Sequence, residues 1–406
     1  MEIISTGWHV FGALLVFLLG AFTSLAIASR FGIGDKRGLF LYLWHTLWCL
    51  VYLIYAINAG GDSLFYYSES ISGELKSFRL GTVAVIYFTH FFSDFVGLSI
   101  LGVFLVNNII GFIGLLGFAG ALKKATVAKS SQLRLLALVI ILLPSVSFWS
   151  SAIGKDSIAF MAAGLALWAA LDLRRRVGLM IFAVLSMFFV RAHMAAMMVI
   201  ALSATFIIDA NISMLKRFFF GMASLSVATL LIPFALEYAG VGDVDADGLI
   251  SYVEARQGYN QEGGGGVDIA PMSLPVQLFT YMFRPLVFEA RSVFHLGAAV
   301  DNLVLAILFM VGGLVVCKRR KSRMDDARVF LWVYALFAWI VLAMTTANLG
   351  IAMRQKWMFA PMLIYLMISV MGQSGSNRHS PRISTGHIST SVVTGSGTSG
   401  KETSNA

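Results

Sequence analysis

The sequence predicts an all-α fold, a polytopic transmembrane helical bundle of about 11 spans, and three observations predict it. Of 406 residues, 58% are hydrophobic and only 13% are charged, with a mean hydropathy of +0.81. That is too apolar for a domain whose surface must face water. Uninterrupted apolar runs recur from Trp8 to Met371, each near the roughly 20 residues that a bilayer core about 30 Å thick demands. Finally, the lysines and arginines sit in short clusters between those runs, where cytoplasmic loops collect them. A membrane β-barrel would show short alternating segments instead.

The net charge of +9 is therefore read as topogenic, and nucleic acid is not among the expected partners. Cys49 and Cys317 lie in or beside predicted membrane segments, which indicates no disulfide framework, and no cysteine-metal spacing occurs. The first apolar run, Trp8 to Ala28, has neither a preceding basic region nor a convincing cleavage site, so it reads as a retained helix with its N-terminus outside.

Taken in order, a first helix over about 8 to 29 runs into the basic loop RFGIGDKR, and a second over about 38 to 58 returns to the outside. There the external loop 59–94 begins with NAGGDSLFYYSES. Its later part, VAVIYFTHFFSDF, is too short and too polar at His90 and Asp94 to span, and fits a re-entrant or interfacial piece. A third helix (about 95 to 121) ends at Lys123 and Lys124; a fourth (about 133 to 149) leads to the turn PSVSFWSSAIGKDS, expected to show water a Trp and two serines; a fifth (about 157 to 171) returns to Arg174, Arg175 and Arg176.

The apolar run from Val177 to Ile208 is interrupted by RAH at Arg191 to His193. One tilted helix would bury an arginine in mid-membrane, whereas two shorter helices meeting at the outer face would place Arg191 and His193 beside the GKD turn; the second arrangement is expected. A helix over about 218 to 239 exits into the external loop 240–301, which holds GDVDADG, a glycine run at Gly263 to Gly266 read as a hinge, and the segment MFRPLVFEA. Helices follow over about 302 to 317, 329 to 346 and 357 to 371, the first two separated by the basic loop CKRRKSRMDDAR and the last two by TTANLGIAMRQK. The polytopic domain thus covers 1–371, and the Ser/Thr/Gly-rich tail 372–406 is expected to be disordered and cytoplasmic.

This topology gathers the chemistry on one face. Arg191, Arg284, Arg291 and Arg354 all fall outside, against the positive-inside bias. Guanidinium forks match phosphate oxygens, so a pyrophosphate-bearing, lipid-anchored substrate explains their type and their depth. Alternatively each pairs with a carboxylate such as Glu254, Glu289 or Asp301 and holds loops together. Asp62, after a helix and before two tyrosines, is a candidate general base or a turn cap, and His193 a candidate base or a structural histidine. Lys155 and Asp156 can serve a substrate or simply pair and cap the next helix.

The motifs GGDSLFYYS, PSVSFWSSAIGKDS, RAHM, MFRPLVFEA and NLGIAMRQKWMFAPML, spread over residues 61 to 362, resemble those of the Wzy-type oligosaccharide-repeat-unit polymerases of bacterial O-antigen and exopolysaccharide synthesis. The resemblance implies a GT-C-like, metal-independent glycosyltransferase in the bacterial inner membrane, with its C-terminus cytoplasmic. Its substrates would be polyprenyl-pyrophosphate-linked glycans, its surroundings membrane lipids, and its partners a chain-length regulator and a flippase. It implies no cofactor. Arg191, Arg284 and Arg354 would hold the donor phosphates, assisted by Lys155, Asp156, Arg256 and Arg291, with Asp62, His193 and Glu289 as base candidates. The long external loop with paired arginine-rich motifs that such proteins carry is approximated here only by Arg256 and the FRP segment. Two other readings compete: another lipid-linked-sugar transferase or O-antigen ligase, and a precursor flippase or transporter. The second would distribute ionisable residues along mid-membrane helices.

Overall fold

The computed structural model describes residues 3–73, 75–208, parts of 213–229, 254–258, 265–290, 292–318 and 326–372. The chain divides into a unit ending at Gln373 and a second from Ser374 to Ala406. The predicted disordered tail lies outside the described residues except for Gly372, as do Arg291, GDVDADG and most of the helix expected over 218 to 239.

The described residues are helical, with α1 Gly7–Ile27, α2 Asp35–Ala59, α3 Asp62–Ile71, α4 Thr82–His90, α5 Ile100–Thr126, α6 Ser131–Ile141, α7 Pro144–Ser150 and α8 Lys155–Ala170 in its first half. There follow α9 Val177–Val190, α10 Ala192–Ile208, α11 Leu274–Phe283, α12 Val293–Lys318, α13 Asp326–Thr345, α14 Leu349–Gln355 and α15 Ala360–Val370. Among the described residues, six segments are long and apolar enough to cross a membrane: Gly7–Phe31, Asp35–Ala59, Ile100–Thr126, Ser131–Ser150, Phe294–Lys318 and Ala327–Thr345. α1 turns Phe11, Leu14, Leu18 and Phe22 outward, each about half exposed or more. Such a stripe is costly in water and unremarkable in lipid, so the chain is a multi-pass membrane protein.

α5 is the most enclosed of the six, and its sequence explains why. Gly114 and Gly117 remove side chains from the face that meets α8, where a β-carbon on Gly117 would stand 2.5 Å from the Gly164 carbonyl oxygen and one on Gly164 would stand 2.1 Å from that of Gly114. The two backbones therefore touch, which is how helices gain dispersion energy where lipid offers no hydrophobic drive.

The two ends of the bundle differ in chemistry. At one end Lys123 donates to the Gly32 carbonyl, Lys124 to that of Leu171, and Lys129 to those of Ile368 and Ser369, each amine covering open helix-terminal carbonyls. Arg176 donates to Trp168 O and lies over its ring. The opposite end carries α3, α4, the α7–α8 turn, the α9–α10 break and α14.

Several boundaries differ from those expected. Pro144 opens α7 instead of lying within one helix over 133 to 149; having no amide proton to bond, it is tolerated only in a first turn. The serines of PSVSFWSS turn inward: Ser145, Ser147, Ser150 and Ser151 are all buried, and Ser150 Oγ lies 3.0 Å from His45 Nε2. α12 begins at Val293, so Asp301 and Asn302 stand inside a helix rather than at its end. Asp301 is expected in the external loop and Asn302 at the helix start, but both are satisfied internally. The run from Val177 to Ile208 does form two helices that part at Arg191. Half of the glycine hinge, Gly263 and Gly264, lies outside the described residues. The other half is held: Val267 N donates to Ala347 O and Leu349 N to Gly265 O, at 2.8 and 2.9 Å. A β-carbon on Gly265 would meet Asn348 Oδ1 at 2.9 Å, so glycine permits this pairing.

Candidate functional site

Both carboxylates of the site arise by the same local device. Gly61 (φ 134°) precedes Asp62 at the start of α3, and Gly154 (φ 149°) precedes Lys155 and Asp156 at the start of α8. Side chains rarely adopt such backbone, so glycine permits the abrupt helix start. Each carboxylate then sits in a first helical turn, where the helix dipole favours negative charge.

The arginines come from a helix break and a helix end. Arg191 leaves the α region (φ −148°, ψ 76°), closing α9 with its amide and opening α10 with its carbonyl, which accepts from the amides of Met194 and Ala195. The Phe189 carbonyl, exposed by the break, accepts from Gly81 N at 2.9 Å. Arg354 lies in the last turn of α14, whose Asn348 cap accepts from Gly350 N and Ile351 N.

These four side chains form one alternating chain of charge. Arg191 Nη2 donates to Asp156 Oδ1 at 2.8 Å, Arg354 Nε lies 3.9 Å from Asp156 Oδ2, and Arg354 Nη1 donates to Asp62 Oδ2 at 2.5 Å. Arg191 and Asp156 are largely buried, with side-chain exposures of 11% and 19%, while Asp62 is 54% exposed. They line a cavity of about 610 Å³ together with Lys155, His193, Arg256, Tyr52, Tyr66 and Trp149. Among the described residues its wall carries four cations (Lys155, Arg191, Arg256, Arg354) against two carboxylates (Asp62, Asp156), an excess of two positive charges. Seven of the sequence-predicted residues thus meet in one cavity.

No protein family, curated protein or solved structure matches this chain. The site is accordingly read from its own geometry.

Arg284 and Glu289 stand elsewhere. The Arg284 fork donates from Nε and Nη2 to both Glu289 oxygens, at 2.6 to 3.1 Å, and Leu286 N donates to Glu289 Oε2 at 2.7 Å. The Arg284 hydrogen bonds hold the Glu289 carboxyl below the usual range. This closed loop of contacts matches the structural alternative considered for the external arginines. The pair lines a neighbouring groove of about 1220 Å³, walled by Trp48, Val51, Tyr55, Phe148 and Phe294 among others. Trp149 borders both spaces.

Between groove and bundle lies a buried knot that sequence reasoning missed. Lys356, in the 3-10 turn Lys356–Met358, donates to Asn302 Oδ1 and at 3.4 Å to the Met282 carbonyl. Asn302 Nδ2 donates to Pro285 O at 3.1 Å, and Asp301 Oδ2 accepts from Ser145 N at 2.7 Å. Burial pushes the Lys356 ammonium down to about 8. The available signal was a lysine in the outer turn AMRQK, which runs against the positive-inside bias as the arginines do.

Proposed function

We propose that this protein polymerises lipid-linked oligosaccharide repeat units, as the Wzy-type resemblance implies, and that the charged cavity is where the polyprenyl pyrophosphate of the donor binds. The observation that carries the reading is the excess of two cations among the described residues that line a partly enclosed 610 Å³ cavity, which also holds a half-exposed carboxylate. A site of that size fits a small ligand or headgroup. Two of its arginines, Arg191 and Arg354, positioned by a helix break and a helix end, supply fixed bidentate donors for phosphate oxygens.

In this reading Arg191 and Arg354 bind the pyrophosphate, with Lys155 and Arg256 adding charge. Asp62 takes the proton of the acceptor sugar hydroxyl; that oxygen attacks the anomeric carbon, and the bond to the lipid pyrophosphate breaks. Negative charge then grows on the leaving oxygen, where fixed cations in a water-poor site stabilise it most. Asp156 keeps Arg191 and Arg354 in register. His193 contributes to the wall, and Glu289 holds Arg284 rather than serving as base.

The topology proposed with it has the basic end in the cytoplasm and the charged cavity outside, the N-terminus outside and the C-terminus inside, in the bacterial inner membrane. The shorter helices complete about 11 spans around a GT-C-like site, for which local thinning of the bilayer and snorkelling of flanking residues make up the missing length.

The test is the length distribution of surface glycan in cells that lack the protein. Wild type restores a ladder, and Arg191→Ala, inserted at the same level, yields single repeat units only. A full ladder from Arg191→Ala overturns the phosphate assignment; a cell in which no repeat unit reaches the outer leaflet favours a flippase.

A further inference from the structure

We infer that the groove between α2 and α12 holds the isoprenoid chain of a lipid-linked phosphate whose headgroup occupies the charged cavity. This rests on the proposed function for its headgroup, while the groove itself is argued from its walls. On α2 they are Trp48, Val51, Tyr55 and Ala59, spaced three or four residues apart and so on one helical face. From Ala59 back to Trp48 that face descends about 16 Å along the helix, roughly half of a bilayer core about 30 Å thick. On α12 the wall is Phe294, Gly297 and Ala298, with Phe294 and Tyr55 5.0 Å apart between ring centres.

The charged groups at its rim are engaged with each other and offer a sugar no ionic handle, while Trp48 Nε1, Ser145 Oγ and His295 remain as scattered polar points on a wall that is otherwise mostly apolar. Arg284 and Glu289 bind each other as a fork, and Asn348 Oδ1 caps α14. A glycan needs convergent donors and acceptors, whereas an isoprenoid chain needs apolar walls at membrane depth. Continuity completes the argument. Trp149 borders groove and cavity together, its ring edge-on to Tyr52 and Phe148 at 5.6 and 4.9 Å. One molecule can thus lay its chain in the first space and its phosphates in the second.

Gly297 offers a direct test, because a β-carbon there meets nothing within 4 Å. The experiment is binding of a long-chain polyprenyl phosphate, of geranyl phosphate and of the uncharged polyprenol to the full-length protein in nanodiscs. Wild type is expected to prefer the long phosphate over geranyl phosphate by about tenfold or more, and Gly297→Trp to abolish that preference while leaving geranyl phosphate binding unchanged. Ala298→Trp, on the same wall, gives a second obstruction should the first variant insert poorly. Equal affinity for both chain lengths in wild type, or an unchanged preference in both tryptophan variants, overturns the groove assignment. If chain length matters but polyprenol binds as well as its phosphate, the groove stands and the phosphate reading of the charged cavity fails.

Discussion

Asp156 is the hinge of the charged site because, among the described carboxylates, it is the one that faces both Arg191 and Arg354. Removing its charge leaves two largely buried guanidiniums beside each other, so Asp156→Asn is expected to cost about 3 kcal/mol of stability, read as a lower thermal midpoint in detergent. Asp62 sits at the exposed end of the same chain, and Asp62→Asn is expected to cost under about 1 kcal/mol while abolishing glycan extension. A variant that melts like wild type yet makes no polymer would place Asp62 in the chemistry; one that polymerises normally would remove it. The Arg284–Glu289 clasp predicts a different signature. Because the Glu289 carboxyl is held below its ordinary value, the clasp is fully formed above the unfolded carboxyl's pKa of about 4.3 and opens as pH falls through the lower folded value. Hydrogen exchange at the Leu286 amide should therefore stay slow down to that range and then quicken. In Glu289→Ala, which removes the acceptor, it should be fast throughout.

At the scale of elements, the α5–α8 contact is set by glycine. Gly164→Leu must push apart backbones that now touch, and overpacking of this kind costs about 1–3 kcal/mol or more. A lower yield of folded protein in detergent is the expected result. Gly313→Ala in α12, where a β-carbon meets nothing, should be neutral by the same measurement. Helix positions were largely legible in the sequence because hydropathy reports length directly, and the Arg191 break was legible because a long apolar run tolerates no mid-membrane guanidinium. The start of α12 misled for the converse reason. Asp301 looks like the end of a loop, yet Ser145 N, Pro285 O and Lys356 satisfy Asp301 and Asn302 inside a helix. Those partners lie far away in sequence, and no local pattern announces them. Arg284 shows the opposite case: its residue type pointed to phosphate, but a carboxylate only five positions along the chain engages it.

For the whole molecule, the segregation of charge gives a topological prediction. In a Cys317→Ser background, with Cys49 buried, Gly34→Cys and Ser68→Cys place single thiols at opposite ends of the bundle. An impermeant maleimide added to intact cells should label the second and spare the first. Reversed labelling would turn the charged cavity toward the cytoplasm and end the proposed role at the outer leaflet.

The ion pair between Asp62 and Arg354 joins residues 292 positions apart. During synthesis Asp62 and Asp156 enter the membrane long before Arg354 exists, so the cavity cannot assemble until nearly all of the helical unit has been translated. A ribosome stalled before α14 would leave Asp62 without Arg354 and Asp156 with Arg191 as its remaining arginine partner, and quality-control proteases would meet a bundle with its charged cavity still open. The charged cavity thus closes only as the last helices of the unit are added.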